Sequence, residues 1–360
     1  MTARLLLTKI AAPLVALTIL FALAITRRRE PAPAPVAPRP PLQLLAVSVA
    51  RPAVTATLPV GAEPEGVAVS PDSRTVYVAN QGERSLSVID VASRYVTPVP
   101  LRNTARFVAV SRDGRRVYVS MFEKDRSGSG VAILDAATRR VISYLRTGTQ
   151  PYDLAVAPDG RLWVPIHGSA RLDVFSPDDR PAGQVRVAAN PHSVGFAAAG
   201  SRAFTPDHES NRVSVIDTRT DRRTGSIPVS SAPHSLDVAP DGRTVAVACY
   251  GANAVDLIDA VTLRRRGPFA VGRKPQSVAV SADSAHAYVV NEEDNTVSVM
   301  AIRSGTVTAT LRVGRSPRTV AVAPDGRSAY VTNGDDNTVS ILQIGQSTSR
   351  AIERPPSPPE

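Results

Sequence analysis

Residues 313–344 read VGRSPRTVAVAPDGRSAYVTNGDDNTVSILQI. Val320, Ala321 and Val322 form an apolar run of strand length. Pro324, Asp325 and Gly326 then suit a tight turn, because Asp bonds the local backbone and Gly tolerates positive φ. A second run carries Tyr330, a polar loop follows, and a third run alternates apolar and polar residues. Nothing in the stretch has helical periodicity.

The same grammar recurs upstream. A marker proline stands at Pro64, Pro151, Pro191, Pro233, Pro275 and Pro317, with Ala105 at the equivalent place in the second unit. The intervals are 41, 46, 40, 42, 42 and 42 residues, and the long one holds an insertion, EKDRSGSG, at 123–130. The second run of each unit carries Tyr77, Tyr118, Trp163, Phe204, Tyr288 or Tyr330, with Ala246 in unit five. A weaker fourth run ends each unit. Four short strands per unit, seven times over, predict an all-β, seven-bladed β-propeller over residues 42–346. A solenoid would need capping repeats, and the sequence has none. AVTATL at 53–58 matches VTATL at 307–311, the fourth strand of unit six, whereas the fourth run of unit seven, around 347–352, is poor. The N-terminal run is therefore expected to complete the last blade, with residues 44–50 beside it.

Composition narrows the function. Hydrophobic residues make up 43% and charged residues 21%, a globular mix, and the single Cys249 excludes a disulfide framework, a Cys-based zinc cluster and a CxxC redox pair. The net charge is +10, but half of it lies in residues 1–41. What is left is too diffuse for a nucleic-acid footprint, and aromatics are only 4%. Residues 1–30 are expected to be a signal peptide or an N-terminal transmembrane anchor. Arg4 and Lys9 precede an apolar run at 10–26, and Arg27, Arg28 and Arg29 follow it. That run covers roughly 25 Å of a bilayer core about 30 Å thick. Ala22, Leu23 and Ala24 offer a cleavage site, whereas the three arginines favour an uncleaved anchor. Residues 31–41, PAPAPVAPRPP, form a stiff Pro-rich linker, and residues 347–360 read as a disordered tail. The whole predicts an extracytoplasmic, monomeric propeller, membrane-anchored or secreted.

YVTN at 330–333, near copies YVAN at 77–80 and YVVN at 288–291, the VGxxP lead-in and the PDG turn resemble the YVTN-repeat β-propellers, the YncE-like family. The likeness covers residues 53–344; unit four has Ala198, Ala199 and Gly200 in place of the turn, and units three to five lack YVTN. The resemblance implies an extracytoplasmic propeller, often on a cell surface, and no single reaction. A further resemblance to lactonase-like propellers implies a hydrolase alternative.

In a propeller the first strand of each blade lines the channel, so the residue after each marker lies at its mouth. Those residues are Glu65, Arg106, Tyr152, His192, His234, Gln276 and Arg318, while the positions beyond are mostly Val, Leu and Ala. They form the candidate ligand site. Arg106, Arg318, Arg315 and Lys274 favour an anionic ligand. In the hydrolase alternative Glu65 or a histidine would activate water, and Arg106 or Arg318 would hold the developing charge. His167 and His208 map to the same face, and His286 to the opposite one. His192 and His234 are the weak metal candidates, but no carboxylate or cysteine completes a ligand set, so no metal and no cofactor is expected. The loops NEEDN (291–295) and NGDDN (333–337) lack the spaced acids of a calcium loop. Cys249 reads as a small, half-buried side chain without a base. The basic turns at Arg139 and Arg140, Arg222 and Arg223, and Arg264 to Arg266 face the outer bottom rim. The expected partners are the membrane, through residues 1–30, and an envelope protein or a small anionic ligand; nucleic acid is not expected.

Overall fold

A computed structural model describes residues 46–123, 128–197 and 200–346. The expected signal or anchor, the linker and the tail lie outside these residues, as do residues 44 and 45. Among the described residues no helix is long and apolar enough to cross a membrane.

The chain folds into seven antiparallel four-stranded sheets. Blade one shows the order: Pro64–Val69 innermost, then Thr75–Asn80, Ser85–Asp90 and Val96–Pro100. Innermost strands of neighbouring blades pack side by side, and that of blade seven meets that of blade one, so the ring closes. The core lies between blades rather than inside one. Each of seven apolar clusters takes residues from two adjacent blades, the last joining Tyr330 and Val339 of blade seven to Val67 and Val76 of blade one. The second-strand aromatics fill these interfaces. Trp163, Phe204 and Tyr288 have no exposed surface, and Trp163 meets Phe196 of the next blade edge to face at 5.5 Å.

Blade seven is built from both ends of the domain. Val47–Pro59 is its outer strand, paired antiparallel with Thr338–Gln346 from Pro59 opposite Thr338 to Val47 opposite Gln346. The strand expected at 53–58 is thus longer, and residues 47–50 continue it past a bulge instead of lying beside it. At its start Ser48 is held by Asp283 and His286 of blade six, with Ser48 Oγ 2.8 Å from Asp283 Oδ1 and 2.6 Å from His286 Nδ1.

The motif has a mechanical explanation. Asn333 Nδ2 donates to Thr338 Oγ1 and Ser340 Oγ, both at 3.0 Å, and so closes the loop between second and third strands. Asn80 and Asn291 do the same in their blades. The lead-in glycine packs directly on this amide: a Cβ on Gly314 would lie 2.6 Å from Asn333 Cγ. VG and YVTN are therefore two halves of one contact. Gly314→Ala should cost about 1–3 kcal/mol by overpacking. Melting curves should show that Asn333→Ala relieves part of that cost in the double variant; strict additivity would refute the contact. In blade five Cys249 takes the Asn position. It is fully buried rather than half-buried, and burial pushes its thiol pKa up, so it is an inert core side chain.

Blades three and four depart from the rule in a way that shapes the channel. Pro165 and Pro206 occupy second-strand positions held elsewhere by Ala79, Ser120, Ala248, Val290 and Thr332. Proline has no N–H to donate. The innermost strands there shrink to Ala155–Val156 and Gly195–Phe196, with Pro151 and Pro191 kept as single bridges to Ile166 and Asp207. The released segments bond to each other instead, Asp153 N–H donating to His192 O at 3.2 Å.

Candidate functional site

In every blade but the second, a left-handed hook places the mouth residue. Gln150, Asn190, Ala232 and Lys274 precede their marker prolines at φ of 57°, 62°, 50° and 54°, which turns the chain sharply into the channel. The seven mouth residues meet there in one ring. Arg106 Nη2 lies 3.6 Å from Glu65 Oε1 and donates to Tyr152 Oη at 3.2 Å. Tyr152 Oη is 3.3 Å from His234 Nε2, and His234 Nδ1 donates to Gln276 O at 2.8 Å. Gln276 Nε2 and Arg318 Nη1 both donate to Glu292, at 3.0 and 2.6 Å. Thr332 Oγ1 donates to Glu65 O at 2.8 Å and ties blade seven to blade one. His192 joins by stacking: its ring lies 4.4 Å from Tyr152 and 4.5 Å from His208.

Two features correct the sequence reading. Sequence suggested a cationic mouth, but Arg106 is paired with Glu65, Arg318 with Glu292 and Arg315 with Asp336, while Lys274 Nζ sits 4.6 Å over the Tyr250 ring. The ring is close to charge-compensated. Space inside it is about 30 Å3, water-sized. Glu292 was missed as a site residue. It accepts from Gln276, Arg318 and Tyr250, yet in sequence it stood only in a loop of turn formers. Other acids of the NEEDN and NGDDN loops are taken by arginines, Asp294 by Arg273 and Asp336 by Arg315.

The histidines gather as their loop positions suggested. His167, His192 and His208 stack with ring planes 9–27° apart, and His234 stands nearly perpendicular at 4.6 Å from His192. Stacked rings hold their lone pairs roughly parallel, so these nitrogens do not converge on one ion. Among the described residues no group of three His, Cys, Asp or Glu is placed to hold a metal. Burial drives all four imidazoles toward the neutral form, bringing His234 down to about 3 and His192 lower still, with their neighbours and Arg106 adding to the effect. A neutral imidazole has one N–H and one lone pair. Both ring nitrogens of His192, Nδ1 of His167 and Nδ1 of His208 are buried with no protein partner. His286 lies on the opposite face with Ser48, as expected.

Below the ring the channel holds two carboxylates that the sequence reading passed over, Asp153 and Asp237. Burial raises them to about 7 and about 6. The signal was present as an acid inside two otherwise apolar inner runs, PYDLAV and PHSLDV.

Comparison with known proteins fits this architecture. The chain is 31% identical over 179 residues to Protein NirF of Pseudomonas aeruginosa and 26% identical over the same length to Protein NirF of Stutzerimonas stutzeri, matching 43% of this chain each time. It is 34% identical over 117 residues, 30% of the chain, to the seven-bladed β-propeller protein Rv1057 of Mycobacterium tuberculosis. The matches span less than half of these relatives, 45% of either NirF and 28% of Rv1057. Among solved structures, hydrazine synthase of Kuenenia stuttgartiensis shares the fold, with a TM-score of 0.70 at 20% identity over 78% of this chain and 96% of that one. A family profile described as "Lactonase, 7-bladed beta-propeller" matches residues 104–313. With that match over more than half its length, and with seven closed four-stranded blades, the chain belongs to the lactonase-type seven-bladed β-propeller family.

Proposed function

We propose that this protein is a non-enzymatic binding or scaffold propeller of the cell envelope, tethered or exported by residues 1–30, that seats a small anionic ligand on the channel mouth. The observation that carries the reading is the row of buried, unpartnered imidazole nitrogens on His167, His192 and His208 beside the Arg106 guanidinium. Neutral N–H groups next to a cation suit a carboxylate or phosphate. Arg318, with 28% of its side chain exposed, is the guanidinium such a ligand would reach first, in exchange for Glu292.

The test is thermal shift with sugar phosphates and small carboxylates on the full chain. A ligand at 100 times its dissociation constant should add about 2.7 kcal/mol, and the gain should vanish in His192→Ala/His234→Ala/Arg318→Ala. Absence of any shift sinks the small-ligand part of the reading. The family description favours one alternative, a lactonase-type hydrolase. Against it, Glu65 is engaged by Arg106 rather than free to activate water. Lactone hydrolysis should stay at background in both wild type and Arg318→Ala, and a wild-type rate that Arg318→Ala abolishes would favour the enzyme.

A further inference from the structure

Below the ring the channel widens into a well of about 410 Å3. Its walls are inner-strand residues, among them Val67, Val108, Val194, Leu236, Val278 and Val320. Its far end reaches Pro240 and Pro324 of the turns between first and second strands, so it opens on the face opposite the mouth. Its near end is roofed by the ring. Phe107, Asp153, Ser235, Ser277 and Thr319 border both spaces, and His192, only 4% exposed and with both ring nitrogens unpartnered, stands in that roof.

The side chains that line the well are apolar except for the two carboxylates and the hydroxyls of Ser235, Ser277 and Thr319. Asp153 Oδ1 accepts the Leu154 N–H and Asp237 Oδ2 accepts the Val280 N–H, both at 2.8 Å. Among the described residues neither carboxylate has an ion pair. That sets them apart from the acids of the ring above, where Glu65 is paired with Arg106 and Glu292 with Arg318. A carboxylate inside an apolar well without its own cation is costly and is relieved when a cation arrives.

We infer that the lower channel is a second binding site, distinct from the mouth, for a small hydrophobic ammonium ligand whose apolar body fills the valine-lined well and whose charged nitrogen meets Asp153 and Asp237. Apolar walls with a few convergent polar groups are what such a pocket requires. The raised pKa values of the two acids are consistent with this, since an ammonium group would bring both back toward the ordinary carboxylate range.

Benzylamine is the probe, with benzyl alcohol and benzoate as neutral and anionic counterparts of similar shape. Calorimetry and thermal shift on the full chain at pH 7.5 should show benzylamine binding at least tenfold more tightly than either. Asp153→Asn and Asp237→Asn are near-isosteric, and each should weaken benzylamine tenfold or more while benzyl alcohol changes less than twofold. Lowering the pH to 5 should weaken the amine in wild type. Equal affinity for amine and alcohol, an amine affinity untouched by both substitutions, or stabilisation by calcium with none by benzylamine would each overturn the inference. These ligands enter from the face opposite the mouth, so failure here leaves the mouth reading standing.

Discussion

A chain that starts at Val60 should lose the cooperative melting of one that starts at Ala46. Among the described residues, the thirteen of Val47–Pro59 are the only outer strand of blade seven. Without them Thr338–Gln346 becomes a bare edge. The two Ser48 hydroxyl contacts to Asp283 and His286 go too, as does the Thr308 Oγ1 bond to Ala50 O at 2.8 Å. At about 0.5–1.5 kcal/mol net per hydrogen bond, a strand of this length removes on the order of 5–10 kcal/mol, as much as a whole domain usually has. Calorimetry of residues 46–346 and 60–346 checks this. The longer chain should melt in one transition. The shorter should melt broadly or aggregate through the open edge, and a peptide of residues 46–59 added in trans should restore the transition. An unchanged melt in the shorter chain would show that the ring holds without its clasp.

That closure was legible because a fourth-strand sequence, VTATL, recurs at 54–58, directly ahead of the inner strand of blade one. Blade count and strand order were readable for a related reason. Each blade buries its second and third strands against both neighbours, so the pattern must repeat at a near-constant interval. The seven mouth positions were legible because topology fixes them: whichever residue follows the marker proline faces the channel. What that residue does there was not legible, because it depends on partners far away in sequence. Arg318 reads as a free cation until Glu292, 26 residues upstream, is found 2.6 Å away. The histidine stack was half-readable. His167 and His208 mapped to the right face, but stacking at 4.5–5.2 Å requires two adjacent inner strands to be loosened together. Pro165 and Pro206 stand in the second strands beside those loosened segments, and in sequence they look like breaks in the repeat. Divergence of blades three and four from the motif therefore shapes the channel, since it places Tyr152, Asp153 and His192 beside one another.

That convergence sets two opposed proton couplings in one channel, and separating them should change the acid stability of the whole propeller. His192 and His234 have folded pKa values below the usual 6.5. Above 6.5 their contribution is complete. As pH falls below it the unfolded chain takes up protons that the folded one refuses, and stability is lost down to about 3 for His234, at about 1.4 kcal/mol per pH unit for each histidine. Asp153 and Asp237, raised to about 7 and about 6, act the other way. Asp207, buried and raised to about 7, joins them. The folded chain keeps protons that the unfolded one has released, so this stability is full below about 3.9 and fades as pH rises through 6 to 7. His167 and His208, also driven toward the neutral form, add to the histidine side, so between pH 4 and 6 the opposing slopes largely cancel and wild type should show a nearly flat melting temperature. Asp153→Asn/Asp237→Asn removes two of the three opposing carboxylates. Its stability should therefore fall by about 1.4 kcal/mol or more for each pH unit below 6. His192→Phe keeps the stacking on Tyr152 and His208, removes two unpartnered nitrogens and should do the reverse, gaining stability as pH falls from 6 to 4. Urea denaturation of the three proteins at half-unit steps of pH resolves these slopes. If the double Asn variant were as flat as wild type, the histidine ring would be protonated in the folded protein and could not be the neutral, hydrogen-bond-donating surface that the mouth reading needs.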